Sequence, residues 1–189
     1  MDLDGVLADL DAAGVWLDPG LSVEEVVDVE RRFGFTFCAD HRAMLELAVP
    51  VGDGWPDWLS DDEAPLRARL AWPVDGVVHD VLNDDFWPAS WGPRPAAADE
   101  REAVARRHLA TVPTMVPVYA HRYLPGGAAP TGTPVLSIYG TDVITYGSDL
   151  ADYLAREFGG SSSPVPAPGP AHRIAFWSDL VDGVDPADL

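Results

Sequence analysis

The residues best suited to chemistry stand at the start of the chain. Asp2-Leu3-Asp4-Gly5-Val6 sets two carboxylates two positions apart ahead of a glycine. Such a pair could serve phosphoryl transfer, with one aspartate as nucleophile, the other as proton carrier and a divalent ion between them. That chemistry needs the first aspartate at the carboxyl end of a buried strand, and only Met1 precedes it here. It also commonly uses a lysine to hold the phosphoryl oxygens, and the sequence contains no lysine. A motif without its structural context carries little weight. Asp2, Asp4, Asp9 and Asp11 are therefore expected to form a solvated acidic helix or terminus. His41, His79, His108, His121 and His172 are scattered, with no zinc-ligand spacing to Cys38 or to an acid. Asp61-Asp62-Glu63 and Asp84-Asp85 do not follow the calcium-loop pattern. There is no nucleophile elbow, P-loop or dinucleotide fingerprint. The expectation is a protein without catalytic residues, metal or cofactor.

Aromatic rings set among acids are more informative. Gly54-Trp55-Pro56-Asp57-Trp58 and the run from Asp84-Asp85-Phe86-Trp87 to Trp91-Gly92 lie in proline-rich connections. Tryptophan is over-represented at binding hot spots, and loops carry function on rigid scaffolds. Asp57, Trp58, Asp84, Asp85, Trp87 and Trp91 are the candidate partner-binding residues. Tryptophan also fills cores, and proline stacks on it, so some of these rings are expected to be structural. The formal charge of -19, from 31 acids against 12 arginines, opposes nucleic acid and anionic membrane. It favours a basic protein partner and speeds the encounter with one. Such acidity also aids solubility. The single cysteine, Cys38, forms no internal disulfide, which fits a reducing compartment. The N-terminus lacks the order of a signal peptide, and no apolar run reaches membrane-spanning length. Cytoplasm is the expectation.

The elements that must carry these residues read as α+β: a single domain with a mainly antiparallel or mixed sheet flanked by helices. An acidic segment over 1–19 precedes a domain over 20–160. A Ser/Pro/Gly linker over 161–171 follows, then a segment over 172–189 that regains apolar character and docks back. Ser22 with Glu25 forms a capping box ahead of Val23, Val26, Val27, Glu30 and Phe33, and Gly34 stops that helix. A second helix starts near Asp40 and buries Met44, Leu45 and Ala48. Ser60 with Glu63 repeats the capping pattern before Leu66 and Leu70. After an Asp75-Gly76 turn, Val77, Val78, Val81 and Leu82 suit a buried strand, although so short a run is ambiguous. A charged helix covers 99–109. Strands are expected over 116–123, 134–139 and 143–146, with turns at Pro125-Gly126-Gly127 and Gly140-Thr141-Asp142. Ser148 caps a last helix that buries Leu150, Leu154 and Phe158.

The run Pro134-Val135-Leu136-Ser137-Ile138-Tyr139-Gly140-Thr141-Asp142-Val143-Ile144-Thr145-Tyr146-Gly147, continuing as Ser148-Asp149-Leu150, resembles the late signature of the SUKH superfamily. Leu21-Ser22-Val23-Glu24-Glu25, Glu30, Phe33-Gly34-Phe35 and 40–45 match its early helices. Trp55-Pro56-Asp57-Trp58 falls where the family often has a tryptophan loop. The likeness spans roughly residues 20 to 158. That superfamily includes a fungal regulator of cell-wall synthesis and many bacterial immunity proteins. The resemblance implies an α+β domain that neutralises a toxin, frequently a nuclease, by direct binding. A regulatory adaptor of the same fold is the alternative it implies. The Asp2–Val6 run is similar, more distantly, to haloacid-dehalogenase-type phosphatases.

Overall fold

The computed structural model describes residues 3–159 and 172–189, with the backbone alone at 3 and 4. Its elements, in order, are α1 (Leu3–Ala12), β1 (Trp16–Pro19), α2 (Val23–Phe33), α3 (Ala39–Leu47), β2 (Ala48–Val51), α4 (Ala64–Asn83), α5 (Ala98–Leu109), β3 (Met115–Tyr119), β4 (Arg122–Pro125), β5 (Val135–Tyr139), β6 (Asp142–Gly147), α6 (Leu150–Glu157) and α7 (Trp177–Val181). A short 3-10 turn covers Ala89–Trp91. The fold is α+β. β1 and β2 form an antiparallel pair, and β3-β4-β5-β6 form an antiparallel meander. No described helix is long and apolar enough to cross a membrane.

Strands β3, β4 and β5 are buried on both faces, which explains why they read as nearly unbroken apolar runs, whereas β6 leaves Asp142 and Ile144 exposed. Neighbouring residues alternate sides, as a pleated strand requires. Val116, Leu124 and Val135 pack with Leu10, Val26, Leu45, Leu150 and Leu154 on one side. Met115, Tyr123, Leu136 and Ile138 pack with Val77, Val81, Leu109 and Trp177 on the other. Pro117 sits in β3, one of the two edge strands of this sheet, where its missing N–H costs least.

Several local readings change in the structure. The run from Val77 to Leu82 is helical and belongs to α4. Val74, Val77, Val78 and Val81 are spaced at three, four and seven, a helix face as much as a strand. Asp75 and Gly76 are not a turn but lie mid-helix, and Pro73 lies inside it as well. At the start of α4 no capping box forms. Ser60 Oγ accepts from the Asp62 N–H and Asp62 Oδ1 from the Ala64 N–H. In α2 the capping box and the left-handed Gly34 are present. The buried face, however, is Val26 and Val29, with Val23 and Val27 exposed and Phe33 half-buried. Glu30 accepts from the Phe37 N–H at 2.9 Å, which satisfies its polar end. The 116–123 run is two strands, β3 and β4, folded at Ala120 with φ of 46°. Asp149, rather than Ser148, caps α6 by accepting from the Asp152 N–H.

The linker expected at 161–171 lies outside the described residues. Beyond it, Ile174 and Trp177 are buried against the second core, and Trp177 Nε1–H donates to the Pro113 carbonyl at 3.0 Å. At the other end Asp2 lies outside the described residues, and the residues after it are helical.

Candidate functional site

An exposed aromatic pair, Trp72 and Tyr139, lies where α4 meets the β5–β6 turn. Trp72, Gly76, His79 and Asp80 recur at helical spacing and so share one face of α4. Tyr139 and Gly140 supply the facing wall, and together these residues and Asp75 line a cleft of about 320 Å³. Two glycines make the approach possible. A Cβ on Gly76 would stand 2.9 Å from the Gly140 backbone, and one on Gly140 would collide with the Asp80 carboxylate. Gly140 also has φ of +61°, which disfavours any other residue. Asp80 Oδ2 accepts the Thr141 N–H at 2.6 Å, pinning the turn to the helix. Trp72 Nε1–H reaches the Ile138 carbonyl at 3.4 Å. The Trp72 and Tyr139 rings meet edge to face at 5.8 Å, and 45% and 68% of these residues stay exposed. Large exposed rings beside a concavity are more informative than isolated apolar surface residues.

The charges around the cleft are arranged unevenly. Asp75 pairs with Arg106 at 2.8 Å, and Arg106 also holds Glu102; the bonds to Glu102 and then to Asp75 raise the guanidinium pKa. Among the described residues, no arginine pairs with Asp80 or with Asp84, one turn further along. His79, Asp80 and Asp84 each offer one ligand atom, all within 4.8 Å of one another. They could reach one small cation, although groups this exposed commonly gather on acidic surfaces without one. The sequence reading missed this grouping because it took 77–82 for a strand.

The six residues expected to bind a partner divide among separate places. Asp57 is exposed and lines a second groove, of about 610 Å³, between the β1–β2 pair and Leu59. Trp58 also borders it, but only 2% of the residue is exposed. Its ring packs on Phe37 at 5.0 Å and His41 at 5.9 Å. Trp58 is therefore a core residue and presents no anchor, a correction to the expectation. Asp84 does not line the α4 cleft, but its carboxylate lies within 4.8 Å of the ligand atoms of His79 and Asp80, which do. Asp85, at φ of 59°, turns away to Arg94 at 2.6 Å, and that bond holds its carboxyl below the usual range. Trp87 and Trp91 are half-buried. Trp87 Nε1–H donates to the Gly92 carbonyl, and its ring meets Trp91 edge-on at 5.5 Å. Trp91 stacks on His108 at 5.4 Å and lies near Phe176 of the tail. Ala89 and Ser90 N–H donate to the Pro186 and Leu189 carbonyls. The loop from Phe86 to Gly92 thus fastens the C-terminal segment.

Trp72, Asp80 and Tyr139 were the residues sequence reasoning passed over. The signal was present: Trp72 is off the Leu66 face once α4 is phased through Gly76, and Tyr139 immediately precedes the Gly140-Thr141 turn. Comparisons with family models, with curated proteins and with solved structures return no match for this chain.

Proposed function

We propose that this protein is a binding module that grips another protein, and that its partner presents a basic surface. The observation that carries this reading is the α4 cleft. An exposed tryptophan and tyrosine there adjoin Asp80 and Asp84, carboxylates that no arginine of the described chain neutralises. Aromatic rings hold a complex once water is excluded, and surrounding acids steer a cationic partner toward it. The likeness to SUKH immunity proteins extends the proposal: the partner is a toxin domain, a nuclease by preference. Its phosphate-holding surface is basic and suits an acidic blocker. The same reading places the protein in the cytoplasm, with no cofactor of its own.

Co-expression with the product of the adjoining reading frame tests the proposal. Rescue of growth and a complex that weakens with salt are the expected results. No complex and no rescue would remove the toxin assignment. Hydrolysis of a phosphate ester that Asp2→Asn abolishes would replace binding by catalysis.

A further inference from the structure

We propose that the cleft between α4 and the β5–β6 turn is the socket for one arginine side chain of the partner protein. The proposal rests on the reading of this protein as a module for a basic partner, and it names the contact. The protein's own packing supplies the pattern. Arg32 and Arg67 lie 5.3 and 5.1 Å from the centre of the Phe33 ring, and Glu63 bonds to both guanidinium groups. One ring and one carboxylate there hold two arginines. Arg122 likewise lies 3.8 Å from the centre of the Tyr146 ring.

The cleft brings together the same chemical parts on an outer surface. Trp72 and Tyr139 supply rings, and tryptophan is the strongest aromatic partner for a cation. Asp80 supplies the carboxylate. Its hydrogen bond from Thr141 uses one of about four acceptor directions that a carboxylate offers. Asp84 adds charge from the next turn, whereas Asp75 is already engaged by Arg106. A cleft of about 320 Å³ has room for an arginine side chain. A planar guanidinium stacks on a ring and bonds a carboxylate at its edge, which a rounder ammonium does less well.

The test is a titration of the full-length protein with the peptide acetyl-Gly-Arg-Gly-amide, followed by the indole N–H signal of Trp72 and the amide of Thr141. Both signals should move. The same peptide with citrulline, the neutral isostere of arginine, should bind at least about tenfold more weakly. Asp80→Asn keeps an acceptor for Thr141 and removes only the charge; it should weaken the arginine peptide about five- to tenfold. Trp72→Leu should do the same through the ring. Equal shifts from citrulline, shifts confined to other tryptophans, or unchanged binding in a folded Asp80→Asn variant would overturn the socket. A lysine peptide binding as tightly as arginine would also overturn it, by showing a site for charge alone. If the cleft ignores arginine while the partner still co-purifies, the socket fails and the binding module stands. Arginine bound in the cleft with no partner complex would be the reverse.

Discussion

His41 shows most directly how one residue can set the behaviour of the whole fold. It lies on α3 with its ring against Phe37 and Trp58, and it is fully buried. Its Nδ1 has no hydrogen-bond partner among the described residues. Burial opposes the charged form and pushes its pKa down to about 3. An unfolded histidine titrates near 6.5, so between these values the unfolded chain binds a proton that the folded chain refuses. Stability is therefore fully present above about pH 6.5 and falls as the pH drops toward 3, by up to about 1.4 kcal/mol per unit. Urea unfolding at pH 7 and pH 4.5 should show this loss. In His41→Phe the difference between the two pH values should shrink. Glu63, Asp85 and Asp152 are held low by arginines and act in the same direction, but only as the pH falls through the carboxylate range. An acid limb unchanged by His41→Phe would show that those carboxylates dominate.

At the scale of elements, burial and backbone contacts decide signs that composition alone would misjudge. Leu150, at 0% exposure in α6, faces the first core, so Leu150→Ala should cost about 2–5 kcal/mol in denaturant unfolding. Gly76→Ala is the more discriminating change. In an ordinary helix interior it would stabilise by about 1 kcal/mol. Here the new methyl meets the Gly140 backbone at 2.9 Å, and overpacking of that kind costs about 1–3 kcal/mol. A net loss of stability is expected, and a gain would mean that the turn yields. The same helix marks the limit of what the sequence made legible. α2 with its cap, α3, α5, the β5–β6 hairpin and α6 follow from capping, spacing and turn residues that act locally. α4 does not, because Pro73 and Gly76 oppose helix locally and are overruled by packing on both cores. Once α4 is broken at Gly76, Trp72 and Asp80 fall on different elements, and the cleft they share cannot be seen. The Trp58 ring and the Trp87–Trp91 pair were recognised as important, but exposure depends on distant partners such as Phe37 and Phe176.

At the scale of the whole molecule, the charges sort into those paired within the chain and those left in excess. Arg31, Arg32, Arg42, Arg67, Arg94, Arg106, Arg156 and Arg173 all close ion pairs with the chain's own carboxylates. Most such pairs are exposed and contribute little stability each. Their larger effect is that arginines are engaged locally while an acidic excess of -19 remains. A basic partner should therefore associate fast at low salt and more slowly as salt screens the field beyond about 10 Å. Asp84→Arg, beside the cleft, should lower the association rate and flatten its salt dependence while leaving unfolding midpoints nearly unchanged. Association rates at two ionic strengths would check this, and an unaltered rate would place the encounter surface elsewhere.

The Pro73 and Gly76 interruption of α4 also predicts an order in time. These residues weaken an isolated helix by about 3 and about 1 kcal/mol, and a helix nucleus is costly even without them. A peptide covering residues 64–83 should stay largely unstructured in water. The middle turns of α4 draw their stability from packing on both cores and on the β5–β6 turn, so they are expected to set only once those partners are in place. Docking that late would put the contact at Gly76 after the rate-limiting barrier, where substitutions act on unfolding rather than refolding. Gly76→Ala should speed unfolding by most of its free-energy cost and leave the refolding rate within about twofold. The ring pair of Trp72 and Tyr139 would then assemble late, and in the binding reading proposed above a chain caught earlier would present its acids without a place to grip.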